Sequence, residues 1–129
     1  MRAAVPSALV VDDDPASVAY IRATLWKFGF AKVYSSRNGM EALELVMQQT
    51  IGLVLADWQM PQMTGVDLLR RLKGQEKTHD IPVNLVTAED RRQMVQEAID
   101  AKADGYIIKP YSIAKIEEAV LRVLNRRAS

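Results

Sequence analysis

Short runs of apolar residues alternate with longer amphipathic stretches five times along the chain. Four of the runs, Ala8–Val11, Leu53–Ala56, Val83–Val86 and Tyr106–Ile108, are apolar or nearly so on both faces. That pattern suits strands buried between helical layers. A weaker run, Ala31 to Ser35, alternates apolar with polar and reads as an edge strand. Between the runs the period changes to that of a helix. Val18, Ile21, Leu25 and Phe28 share one face of a first helix, which Asp14 caps, Pro15 begins and Gly29 ends. Met40, Leu43 and Met47 mark the face of a second helix, and Val66, Leu69 and Leu72 that of a third, stopped by Gly74. A fourth, about Asp90 to Lys102, offers only Met94, Val95, Ala98 and Ile99, a narrow stripe that predicts the least firmly held helix. Ile113, Ile116, Val120 and Val123 give the last. Strand–helix alternation of this kind predicts an α/β fold with a parallel sheet and right-handed crossovers. No internal repeat or low-complexity tract interrupts it. Asn125 to Ser129 reads as a frayed terminus or the start of a linker.

Composition narrows the chemistry. With 129 residues the chain is expected to form one domain, 1–129, with a core of about 8–125. There is no cysteine, which excludes disulfides, zinc–thiolate sites, iron–sulfur clusters and a thiol nucleophile. Lys plus Arg number 17 against 16 acids, so no global field calls for nucleic acid or an anionic membrane. No apolar run is long enough to span a bilayer, and the N-terminus makes a poor signal peptide. These features point to a cytoplasmic protein, with no direct nucleic-acid contact and no membrane insertion.

The polar residues that follow the strands are the informative ones. The first strand runs into Asp12-Asp13-Asp14, the third ends in Asp57, the fourth in Thr87 and the fifth in Lys109-Pro110. All are carboxyl ends, where ligands bind in open α/β sheets. Taken singly, each has an ordinary explanation: Asp14 as a helix cap, Thr87-Ala88-Glu89 as a helix start, Lys109-Pro110 as a turn. Those explanations do not require four strands to end in complementary groups. Clustered carboxylates repel one another unless a cation sits among them. Oxygen ligands select a hard ion, Mg²⁺ before zinc, since the only histidine, His79, lies in a polar loop. A metal, an ammonium and a hydroxyl together complement a phosphoryl group, which one of the aspartates can carry as nucleophile.

In order along the chain, Val10-Val11-Asp12-Asp13, Asp57-Trp58-Gln59-Met60-Pro61 with Met63 and Gly65, Leu85-Val86-Thr87-Ala88-Glu89 and Gly105-Tyr106-Ile107-Ile108-Lys109-Pro110 resemble the receiver domain of two-component response regulators. The resemblance covers Leu9 to about Leu124. Trp58, Glu89 and Tyr106 bring it nearest to the chemotaxis-type members. It implies a flavodoxin-like (βα)5 three-layer sandwich whose five-stranded parallel sheet has the order 2-1-3-4-5. It also implies a signalling switch rather than an enzyme, taking a phosphoryl group from a histidine kinase or phosphotransfer protein. Asp57 would be the phosphoacceptor. Asp13, Asp57 and the backbone carbonyl of Gln59 would ligate Mg²⁺, with Asp12 reaching it through water. Lys109 would bind the phosphoryl oxygens and Thr87 would hydrogen-bond them. Tyr106 would act as the switch toward a face formed by the fourth helix, fifth strand and fifth helix, where the downstream target binds. Gln59 and Glu89 depart from or vary on the family pattern, and both are expected to alter the hydrolysis rate. The chemotaxis-type motifs favour a stand-alone regulator over the receiver of a larger response regulator or hybrid kinase. A phosphatase of the haloacid-dehalogenase type also uses an aspartyl nucleophile, but it needs a second acid where Gln59 stands.

Overall fold

The computed structural model describes residues 7–88, 91–109 and 112–128. Over these residues five strands alternate with five helices: β1 (Ala8–Val11), α1 (Pro15–Lys27), β2 (Val33–Ser36), α2 (Gly39–Gln48), β3 (Leu53–Asp57), α3 (Gly65–Lys73), β4 (Val83–Thr87), α4 (Arg92–Asp100), β5 (Gly105–Ile108) and α5 (Ile113–Ala128). All the strands are parallel, in the order β2-β1-β3-β4-β5. This is the flavodoxin-like architecture that the family resemblance implied.

Side chains alternate across the sheet and divide the core into two layers. Leu9, Val11, Val54, Ala56, Val83 and Leu85 face α2, α3 and α4, which contribute Ala42, Val46, Val66, Leu69, Leu72 and Ala98. Ala8, Val10, Leu53, Leu55, Val86 and Ile107 face α1 and α5, which contribute Ile21, Leu25, Ile116 and Val120. Right-handed crossovers account for this division. The chain steps one way from β1 to β2 and the other way thereafter, so α1 lies opposite α2, α3 and α4. The direction of winding reverses between β1 and β3, and a crevice opens there at the carboxyl ends.

Several expectations are corrected by the packing. The inward face of α2 is Gly39, Ala42 and Val46, whereas Met40 and Met47 are 51% and 43% exposed. The reason is close approach: a Cβ at Gly39 would sit 2.5 Å from Met63 Sδ, so small residues take the contact and the larger ones flank it. Along α5, Ile116, Ala119 and Val120 are buried while Ile113, in the first turn, is 45% exposed. Val123 lies outside the residues whose side chains are described, as do Glu89 and Pro110 altogether. The segment from Asn125 to Ala128 continues α5. The weak second strand begins at Val33 rather than Ala31 and is indeed an edge.

α4 matches its thin stripe. Ala98 is its one fully buried side chain, Ile99 is exposed, and Arg91 at its N-cap makes no side-chain capping bond. By contrast α3 has a reciprocal capping box between Thr64 and Asp67 and buries five residues.

Candidate functional site

Where β1 and β3 end, short turns deliver the acidic side chains. Asp12 leaves β1 and is buried, with Oδ1 accepting the Asp14 backbone N–H at 2.9 Å. Asp13 is exposed beside it. Asp14 turns away to cap α1, accepting from the Ala16 N–H and the Ser17 hydroxyl, which hold its carboxyl below the ordinary aspartate range. Asp57 closes β3, and its Oδ1 accepts the Gln59 backbone N–H at 3.2 Å. One carboxylate oxygen from each of Asp12, Asp13 and Asp57 lies within 4.8 Å of the others.

The turn after Asp57 depends on a residue whose packing role was not read from the sequence. A Cβ at Gly65 would stand 2.5 Å from the Asp57 carbonyl oxygen and 3.0 Å from Trp58 Cα, so only glycine lets α3 begin this close to the β3 terminus. Its N–H donates to the Trp58 carbonyl at 2.8 Å, closing the loop. Within the loop Gln62 has φ 70°, and the Met63 N–H donates back to the Pro61 carbonyl at 2.8 Å. The sequence signal was the small residue beside a helix cap, but nothing in it shows what the glycine must clear.

On the other side of the crevice, Lys109 follows β5. Its N–H donates to the Thr87 carbonyl at 2.7 Å, joining the ends of β5 and β4. Its Nζ stands 3.6 Å from Asp12 Oδ2 and 3.6 Å from Asp57 Oδ2. Thr87 ends β4 fully buried, one residue beyond Val86, which is the register partner of Asp57. It shares the strand parity of Val83 and Leu85, whose side chains belong to the α3–α4 layer. Tyr106 packs against that same layer, and its ring meets Trp58 edge-on at 6.1 Å and 76°. His79 is at the amino end of β4, the opposite end of the sheet, where it pairs with Asp80.

Burial is the main influence on the Asp57 carboxyl and pushes its pKa up, with the charge of Asp12 adding to the rise. The Lys109 ammonium and the Gln59 N–H oppose it without overcoming it. A single ammonium therefore does not fully compensate the acids. Oxygen-only donors at this spacing suit a hard cation. Asp12, Asp13, Asp57 and Lys109 thus come together, Asp14 and His79 stand apart, and Tyr106 packs one step away on Trp58.

The family model of the response regulator receiver domain matches residues 8–121. The chain belongs to the response regulator receiver family. As a receiver domain it is a phosphoacceptor signalling module rather than a conventional enzyme. Chemotaxis protein CheY-3 of Vibrio cholerae is similar to this receiver, 32% identical over 118 residues that make up 92% of this chain and 91% of that one. Among solved structures, a signal receiver domain of a histidine kinase from Syntrophus aciditrophicus shares 30% identity and superposes with a TM-score of 0.86, over 94% of this chain and 91% of that one. A receiver domain of a sensor histidine kinase from Pseudomonas aeruginosa, solved with magnesium coordinated in its active site cleft, shares the fold at 23% identity and a TM-score of 0.83, over 93% of this chain and 98% of that one. No described helix is long and apolar enough to cross a membrane.

Proposed function

We propose that this receiver is a phosphorylation-activated switch in which Asp57 accepts a phosphoryl group from the phosphohistidine of a sensor kinase or phosphotransfer protein, with Mg²⁺ as cofactor. The observation that carries the reading is the acidic cluster with the Lys109 ammonium 3.6 Å from two of its carboxylates. Asp13, Asp57 and the Gln59 carbonyl would hold the metal, and Asp12 would reach it through water. Bound there, Mg²⁺ would offset carboxylate repulsion and neutralise charge on the phosphoryl oxygens. An Asp57 oxygen attacks phosphorus as the phosphorus–nitrogen bond to the donor histidine breaks, and the histidine leaves neutral. Lys109 binds the transferred oxygens, and the Thr87 hydroxyl donates to them afterwards.

Output leaves through the face of α4, β5 and α5. Ile99, Ile108 and Ile113, one from each element, are exposed large apolar residues on these elements, as a target-binding surface requires. The matched chemotaxis protein is itself of receiver length, which supports a stand-alone regulator. The matched kinase receiver supports the same chemistry within a larger protein.

Acetyl phosphate with Mg²⁺ is expected to add one hydroxylamine-labile acyl phosphate to the parent and none to Asp57→Asn, whose amide is no nucleophile. Undiminished labelling of the variant, measured by intact mass, would move the acceptor elsewhere.

A further inference from the structure

The sheet fixes where β1 and β3 deliver their acids, since Val11 and Ala56 are register partners on neighbouring strands. It does not fix the loop 58–64, which follows Asp57 and carries Gln59. Backbone bonds hold the ends of that loop: the Trp58 N–H donates to the Val86 carbonyl and the Gly65 N–H to the Trp58 carbonyl, both at 2.8 Å. Between these ends Met60 and Met63 bury their side chains in the layer of α2, α3 and α4. Gln62, at φ 70°, turns the chain into Met63. A residue with a side chain keeps that conformation only where its surroundings hold it.

Met63 lies against α2 at Gly39. A Cβ there would stand 2.5 Å from Met63 Sδ, 2.9 Å from its Cγ and 3.1 Å from its Cβ. Gly39 does not have the left-handed backbone that Gly29 has, and a helix ordinarily favours alanine over glycine. The missing side chain therefore serves the contact alone. Rotating the Met63 tail would clear Sδ but not Cβ, whose place the backbone sets, so a methyl group at position 39 presses on the loop itself. The opposing side is firm. Asn38 Oδ1 accepts the Glu41 N–H at 2.9 Å, Glu41 Oε1 accepts the Arg37 N–H at 3.2 Å, and the Ser36 carbonyl accepts the Asp12 N–H at 3.0 Å. The turn that carries Gly39 is thus tied to one acid of the cluster. The loop that carries Met63 is tied to another, through the Gln59 N–H on Asp57 Oδ1.

We propose that Gly39 and Met63 are positioning residues for the phosphoryl site: their contact is a strut from the turn between β2 and α2 to the loop after Asp57, and it holds Gln59 in place beside the acids. The inference rests on the reading in which the Gln59 carbonyl and the acids hold Mg²⁺. Altering groups that orient metal ligands from outside costs about 10- to 100-fold in affinity. This strut belongs at the low end, because it acts on one ligand of the set.

Amide spectra of the full chain, first without metal and then titrated with MgCl₂ under conditions where every variant is folded, test the proposal. Without metal, Gly39→Ala and Met63→Ala should each move the Gln59 amide, whose donation to Asp57 Oδ1 reports the loop, while the amides of β1 and β3 stay in place. In the titration each variant should bind Mg²⁺ about tenfold more weakly than the parent. Met63→Leu, of similar volume, should keep the parent values of both. Gly39→Ala combined with Met63→Ala should lie nearer the parent than either single variant, because the methyl group takes space that the thioether has left. Met40→Ala, on the exposed flank of the same turn of α2, should change neither quantity. A contact that only fills the core would lower stability and leave the Mg²⁺ affinity of the folded chain unchanged. That result, an unmoved Gln59 amide, or additive losses in the double variant would overturn the proposal. If the parent binds no Mg²⁺, the metal reading fails by itself, and the Gln59 amide of the metal-free variants still decides whether the strut exists.

Discussion

Asp57 illustrates how much of the site's character is set by where one side chain is buried. Its carboxyl titrates above the ordinary aspartate value because the fold takes it out of water and sets Asp12 beside it. The folded state therefore holds the proton at a pH where the unfolded chain has lost it. Stability contributed by the protonated form is complete below the unfolded pKa and is lost as pH rises through the folded one. Without Mg²⁺, Asp57→Asn is thus expected to be more stable than the parent at pH 7, and the difference should vanish as pH falls below about 4. Urea unfolding across that range checks the sign, and a variant less stable at pH 7 would show that Lys109 outweighs burial. Gly65 is the other residue with an outsized role. Gly65→Ala should lower stability by about 1–3 kcal/mol, because the obstacle is backbone at the Asp57 carbonyl and not a movable side chain. Its unfolding midpoint and its Mg²⁺ affinity should fall together.

At the level of elements, α4 is tied to its neighbours by little. Beyond Ala98 and the partial packing of Met94, it is linked to α3 by Arg70 Nη2 donating to Glu97 Oε2 at 3.1 Å. Both partners are about half exposed, and such pairs are worth roughly 0.2–1 kcal/mol. Arg70→Ala should accordingly speed amide exchange in α4 by about 1.5- to 5-fold while leaving α3, held by its own core residues, unchanged. Equal acceleration in both helices would mean that α4 is not a separate unit. The looseness of α4 was legible in the sequence because a helix must bury what apolar stripe it has, and this stripe is narrow. The inward face of α2 was not legible. Periodicity favoured Met40, Leu43 and Met47, but the inward face runs through Gly39, Ala42 and Val46, with Gly39 held against Met63, a tertiary fact that no one-dimensional pattern contains. In the same way, the carboxyl-end aspartates, Thr87 and Lys109 could be found by position alone.

Across the molecule, Trp58 beside Asp57, Tyr106 of β5 and Ala98 of α4 share one core layer. Thr87 has the parity of that layer, Trp58 is buried in it, and Tyr106 meets Trp58 edge-on while packing against it. On the proposed mechanism, a hydrogen bond from Thr87 to a charged phosphoryl oxygen would contribute about 1.5–3 kcal/mol, roughly a ten- to hundredfold shift between two arrangements. Moving from 1:99 to 99:1 takes about 5.5 kcal/mol, so on that mechanism Lys109 and repacking of Tyr106 would supply the remainder. Thr87→Ala and Tyr106→Ala are therefore expected to bind beryllofluoride yet lose most of the change in α4 exchange that it produces in the parent. A full response in both variants would send the signal by another route.

The acidic cluster and its lysine are brought together from the carboxyl ends of three strands, Asp12 and Asp13 after β1, Asp57 closing β3 and Lys109 after β5. Parallel strands cannot pair through a hairpin, so the meeting of these three strand ends waits on crossovers and on contacts distant in sequence. A nascent or partly unfolded chain consequently holds all the ingredients of the phosphoryl site and none of the site itself. Competence to receive a signal is then a property acquired only at the end of folding, and a kinase that senses this pocket is also, in effect, inspecting the finished sheet.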